Sequence, residues 1–99
     1  MTQTDKDMIF KLTKLTEYCS RGKLDGIKGL VEAGIDVDEG DYDKRTPLHL
    51  AASEGHDNVI NYLINDAGLV NINPIDRWDM TPLDYAIKGK FYQSIKILK

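Results

Sequence analysis

Apolar residues recur along the chain at helical rather than alternating spacing, in short stretches punctuated by glycine and proline. Near the start, Met8, Leu12, Leu15 and Cys19 stand at i, i+4, i+7 and i+11, which predicts a helix from about Asp5 to Ser20. In the middle, Leu48, Ala51 and Ala52 share a helical face, and the two alanines are small enough for a neighbouring helix to approach closely. Thr46 is placed to cap that helix. Pro47 takes its first position, where the missing N–H has no intrahelical partner to lose. Gly55 breaks the pattern, and Val59, Ile60, Leu63 and Ile64 resume it on one face of a second helix. Gly68 is expected to end this helix as a left-handed cap, after which Val70–Asn73 leads as an extended segment into a turn at Asp76. The unit is helix, turn, helix and a projecting finger.

The unit repeats. Thr46-Pro47-Leu48-His49-Leu50-Ala51-Ala52 recurs 35 residues later as Thr81-Pro82-Leu83-Asp84-Tyr85-Ala86-Ile87. A shift of 33 in the other direction lands on Thr13-Lys14-Leu15-Thr16-Glu17-Tyr18-Cys19, with Gly22 matching Gly55. Ile27, Leu30 and Val31 then match Ile60, Leu63 and Ile64. A period near 33 with a Thr-Pro-Leu-His opening resembles the ankyrin repeat family, over about residues 13–99. The resemblance implies an all-α solenoid of helix-turn-helix units joined by short finger turns. It divides one domain into repeats at about 13–40, 41–75 and 76–99, with 1–12 as an N-terminal helix extension or linker.

The outer copies depart from the middle one. The first helix is expected to exceed the family's usual length and partly cap the N-terminal end. Two extra residues fall around Asp66–Val70, where the outer helix should run on or its loop swell. Gly89 comes one position earlier than Gly22 and Gly55, which predicts a remodelled loop between the last two helices. At the family's turn glycine stand Lys44 and Asp79; lysine tolerates positive φ poorly, which puts the geometry of the first finger in question. The sequence stops at Lys99 inside the expected last helix, so Ile95 and Leu98 are predicted to lack a cover unless a partner or a further element supplies one.

Composition narrows the functions. With 99 residues there is room for one core, and 41% apolar with 29% charged residues suits a globular chain. A net charge of −3 argues against nucleic acid or an anionic membrane as partner, and no run is long and apolar enough to span a bilayer. The first ten residues carry acids where a secretory signal would carry base and an apolar run. Cys19 is the single cysteine, so no internal disulfide forms, and a reducing cytoplasmic setting is expected.

The residues that invite chemistry have structural uses. The resemblance implies that His49 hydrogen-bonds the turn backbone and links neighbouring repeats; His56 is read the same way, and no nucleophile with a supporting acid is placed to use either. Cys19 stands where the next copy has Ala52, the place of a small buried side chain. Asp36, Asp38, Glu39, Asp41 and Asp43 do not make a calcium loop, because the twelfth position from Asp36 is Pro47 and from Asp38 is His49. They form either a solvated finger or an acidic tip for a basic partner. Lys88, Lys90, Lys96 and Lys99 make the other end basic. Trp78 on the second finger either contacts a partner or folds back to stack on Tyr42.

In finer detail, Asp41-Tyr42-Asp43, Glu54-Gly55-His56, Val70-Asn71, Asp76-Arg77-Trp78 and Lys96-Ile97-Leu98 are similar to the C-terminal ankyrin segment of kidney-type glutaminases. That likeness implies an accessory segment of a larger protein, without the enzyme's catalytic residues. The expected function is a non-catalytic protein-binding module with no cofactor, metal or membrane partner. By repeat position its contact residues are Arg21, Tyr42, Asp43, Arg45, Ser53, Glu54, Arg77, Trp78, Met80 and Lys88. The alternative is oligomerisation or packing on a parent chain through Tyr92, Ile95 and Leu98.

Overall fold

A computed structural model describes the backbone of residues 3–99 and the side chains of Lys6 and residues 9–99. Among the described residues there are six helices and no strand: α1 (Gln3–Arg21), α2 (Leu24–Glu32), α3 (Pro47–Ser53), α4 (Asp57–Asn65), α5 (Pro82–Gly89) and α6 (Tyr92–Leu98).

Local chemistry sets the helix starts. At α3 the Thr46 hydroxyl accepts the His49 N–H while the His49 ring accepts the Thr46 N–H, and Pro47 follows the cap. Thr81 and Asp84 repeat this reciprocal cap at α5, with Pro82 next. α1 has no such start at Thr13. It runs on toward the N-terminus, so it is 19 residues long where α3 has 7. Its buried stripe holds Leu15 and Cys19, with Leu12 packed at the edge; the side chain of Met8 lies outside the described residues.

The first helices of the three pairs stack side by side, α1 on α3 and α3 on α5, while α4 and α6 pack together behind them. The core runs through the stack as Leu15, Cys19, Ile27, Leu48, Ala51, Ala52, Val59, Ile60, Leu63 and Ala86. Ala51 and Ala52 are fully covered, as a close approach of α3 and α5 requires.

Four expectations are settled here. α2 and α4 are both nine residues long, so the two extra residues swell the loop after Asn65 and do not extend the helix. Gly68 does take a left-handed φ of 79°, but it lies two residues beyond the cap Asp66 and does not end α4 itself. The last helix-to-helix loop is not remodelled. Lys90 takes the left-handed position that Gly22 and Gly55 hold, and Phe91 N–H reaches Ala86 C=O as His56 N–H reaches Ala51 C=O. Gly89 sits one place early because the Phe91 ring lies against it: a Cβ there would come 2.3 Å from that ring. Finally, Leu98 is buried at 6% exposure and Ile95 is half-buried against the core, so neither lacks a cover.

Candidate interaction surface

Each finger is folded around one aspartate. Asp41 Oδ1 accepts the N–H groups of Asp43 (2.9 Å) and Arg45 (3.0 Å); Asp76 Oδ1 accepts those of Trp78 (2.9 Å) and Met80 (3.0 Å). Backbone bonds from Lys44 to Asp41 and from Asp79 to Asp76 close the two turns. Lys44 and Asp79 both sit at φ 60°, so lysine adopts the same turn as aspartate and the first finger is not distorted. The side-chain bonds of Asp41 compensate the modest strain of the left-handed lysine.

The two fingers are tied to each other and to the helices. Arg77 N–H donates to Asp43 C=O (2.8 Å), and the Arg77 guanidinium meets the Asp43 carboxylate at 3.1 Å. His49 is wholly buried; its Nδ1 accepts from Thr46 N–H and its Nε2 donates to Met80 C=O at 2.8 Å. One ring nitrogen accepting and the other donating is the neutral imidazole. Burial holds the His49 pKa below its ordinary value, although the bond to Met80 and the charge of Asp76 pull the other way. Asp76 is itself buried, and burial works to raise its pKa. The hydrogen bonds from the Tyr85 hydroxyl and from the Met80 and Trp78 N–H groups outweigh that and keep it below the usual carboxylate value. The Tyr85 ring meets His49 edge-on at 5.8 Å and carries the Arg45 guanidinium at 5.0 Å.

What this frame presents outward is aromatic. Tyr42 is fully exposed and Trp78 is 57% exposed, so Trp78 does not fold back to stack on Tyr42. Its neighbour is instead Arg77, 5.9 Å from the indole ring. Of the remaining candidates, Arg21 pairs loosely with Glu17 (3.6 Å) and the Ser53 hydroxyl is turned onto Leu50 C=O. Glu54 and Lys88 are exposed near the ends of α3 and α5, and Met80 is half-buried. Tyr42, Asp43, Arg45, Arg77, Trp78 and Met80 therefore come together on the paired fingers; Arg21, Ser53, Glu54 and Lys88 sit on or beside the first helices, away from them.

The acidic run is mostly employed. Asp38 accepts the N–H groups of Val70 and Asn71 in the next inter-repeat loop, Asp36 accepts that of Asp38, and Asp41 and Asp43 serve the fingers. No group of metal-ligating side chains occurs among the described residues. Cys19 is fully buried, which pushes its thiol up to about 12 and makes it a core residue. His56 donates to Ser20 C=O at 2.7 Å, the linking role expected for it.

A cleft of about 300 Å³ beside the first finger was not anticipated. It is lined by Ile9, Leu12, Thr13 and Thr16 of α1 and by Glu39–Tyr42 of the finger. Its signal was present in the spacing: positions 9, 12, 13 and 16 make a second stripe on α1, beside the buried one. At the other end, only Tyr92 of the expected Tyr92–Ile95–Leu98 patch is openly exposed. Among the described residues no helix is long and apolar enough to cross a membrane.

The pattern of ankyrin repeats in three copies matches residues 15–99. The chain is 37% identical to a serine/threonine-protein kinase 12 of Arabidopsis thaliana, over 87% of this chain and 18% of that one. It is 37% identical to the liver isoform of mitochondrial glutaminase from Rattus norvegicus, over 79% of this chain and 13% of the enzyme. It is 40% identical to the potassium channel SKOR of Arabidopsis thaliana, over 88% of this chain and 10% of the channel. The chain thus spans less than a fifth of the length of each of these relatives.

Proposed function

From the premise that this chain belongs to the ankyrin repeat family, whose repeats generally serve as protein-interaction modules, we propose that it binds a protein partner through its fingers and first helices. The observation that carries this reading is the pair of exposed aromatic side chains, Tyr42 and Trp78, on fingers fixed by the hydrogen bonds of Asp41, Asp76 and His49. Rigid aromatic anchors lose little entropy on binding, and Trp and Tyr are enriched among the residues that dominate interface energies. The cleft between α1 and the first finger adds an apolar recess next to Tyr42. Three repeats offer about 600–1,000 Å² on this face, the range of a modest specific interface. A kinase, a glutaminase and a channel share no reaction, and an accessory, non-catalytic role within a larger protein is the reading that suits all three.

The test compares surfaces. Proteins captured from source-cell extract by the parent chain are compared with those captured by Trp78→Ala, Tyr42→Ala and Asn61→Ala, the last on the exposed side of α4. Partners held by the parent and by Asn61→Ala but lost from the finger variants are expected, with affinity down at least fivefold, about 1 kcal/mol, for Trp78→Ala. Urea unfolding of Trp78→Ala should match the parent to within about 0.5 kcal/mol, because the side chain is largely exposed. Equal capture by all four chains removes the finger reading.

A further inference from the structure

On each first helix, three positions spaced by three residues face the repeat that follows. In the first repeat they hold Thr16, Cys19 and Gly22, in the second His49, Ala52 and Gly55, and in the third Asp84, Ile87 and Lys90. The second set shows what such a face supplies where another repeat packs on it. His49 donates a hydrogen bond to the carbonyl of Met80 in the next finger. Ala52 is fully covered where α3 and α5 approach. Gly55, at φ 70°, lies under the Phe91 ring of the third repeat so closely that a Cβ would stand 2.5 Å from it. Gly22, at φ 71°, is covered in the same way by His56, with its absent Cβ 2.8 Å from Nδ1. Glycine is therefore demanded twice at these two places, by the left-handed backbone and by the ring above it.

The third set departs from the second at all three places, and from both packed sets at the small side chain and the glycine. Asp84 satisfies its own cap, but a carboxylate accepts hydrogen bonds where the His49 ring donates one, so it does not supply the bond to a finger carbonyl. Ile87, 51% exposed, puts a branched side chain where the other repeats have Cys or Ala. Lys90 keeps the left-handed φ of 60°, and its Cβ projects into the place where the ring of a following repeat would lie. These changes lie along one stripe of α5 and its C-cap, whereas the capping bonds and the backbone bonds of the loop keep the pattern.

We infer that the Asp84–Ile87–Lys90 stripe makes this the closing face of the repeat stack, one that rejects a further repeat packed as the second and third are. The stripe governs what this face accepts, whatever chain adjoins it. A partner that uses the face must approach without the finger-to-histidine bond and without a ring over position 90.

The experiment joins a second copy of residues 65–99 after Lys99, which would set a new finger opposite position 84 and a new Phe ring opposite position 90. The extension is made on the parent sequence and on the triple variant Asp84→His, Ile87→Ala, Lys90→Gly, which restores the face of the middle repeat. Urea unfolding reports stacking, because the denaturant slope follows the surface exposed. On the parent the added unit should leave slope and midpoint unchanged. On the triple variant a single transition with a slope greater by about a third is expected, as for four stacked repeats in place of three. The triple variant without the extension, checked by its helical circular dichroism, shows that the fold survives the changes. Lys90→Gly alone, which only relieves a left-handed side chain, provides a second and milder background, and there the added unit should gain amide protection over the parent. Stacking on the unaltered face, or on neither face, overturns the assignment.

Discussion

The two junctions of the stack are held by different chemistry. Between the first and second repeats the packed contact is apolar, through Leu15, Cys19 and Ile27, with His56 bonded to Ser20 C=O and, at the exposed loops, Asp38 accepting the N–H groups of Val70 and Asn71. Thr16 stands where His49 stands in the next repeat, and no finger-spanning bond is made from it. Between the second and third repeats polar contacts take over: His49 to Met80, Arg45 over Tyr85, and the exposed Arg77 to Asp43, with Tyr85 bonded to the buried Asp76 inside the third repeat. Apolar contact is non-directional and fixes how tightly helices pack. Hydrogen bonds are directional and fix where the fingers point. The second junction is thus the one that orients Tyr42 and Trp78, and the difference separates what stabilises the stack from what aims its binding surface.

The largest expected effect breaks the second junction sterically. Gly55→Ala places a Cβ at positive φ and against the Phe91 ring, and should cost about 2–4 kcal/mol in urea unfolding. His49→Ala comes next. It leaves Thr46 N–H and Met80 C=O without their partner in a buried place, for a loss of about 2–3 kcal/mol. The corresponding Thr16→Ala in the first junction should stay within about 0.5 kcal/mol, so equal effects at the two positions would erase the contrast.

Acid should loosen the second junction with a smaller effect. The folded pKa of His49 is lowered, so below about 6.5 the unfolded chain binds a proton that the folded chain refuses, and stability falls as the pH falls. Asp76 is held below its ordinary value, so its contribution is complete above about 4 and is lost as the pH falls through its folded pKa. Both act in the same direction. Unfolding midpoints should decline between pH 8 and 4 through His49 and further below pH 4 through Asp76, and Asp76→Asn should remove only the decline below about pH 4.

Much of this was readable from residue order. The Thr-Pro caps, the alanine approach and the alternation of helix and finger follow from local rules, and His49 and His56 could be assigned as links between repeats. What escaped the sequence depends on neighbours across repeats. The burial of Leu98 and Ile95 comes from the α4–α6 contact, which supplies a cover that position in the chain does not reveal. The displaced Gly89 suggested a new loop, whereas it only admits Phe91 and leaves the left-handed place to Lys90. The separation of Trp78 from Tyr42 follows from the Arg77–Asp43 link and from the turn bonds of Asp76, which hold the indole outward. The cleft beside Tyr42 needed the orientation of α1 against the first finger.

The most direct measurement is a backbone amide footprint of the chain in complex with a partner captured by the fingers. The account predicts shift changes and exchange protection concentrated at residues 41–45 and 76–80 and along the open side of α3 and α5, with α2 and α4 unchanged. A footprint centred on α2 and α4, with the amides around Tyr42 and Trp78 unmoved, would contradict it.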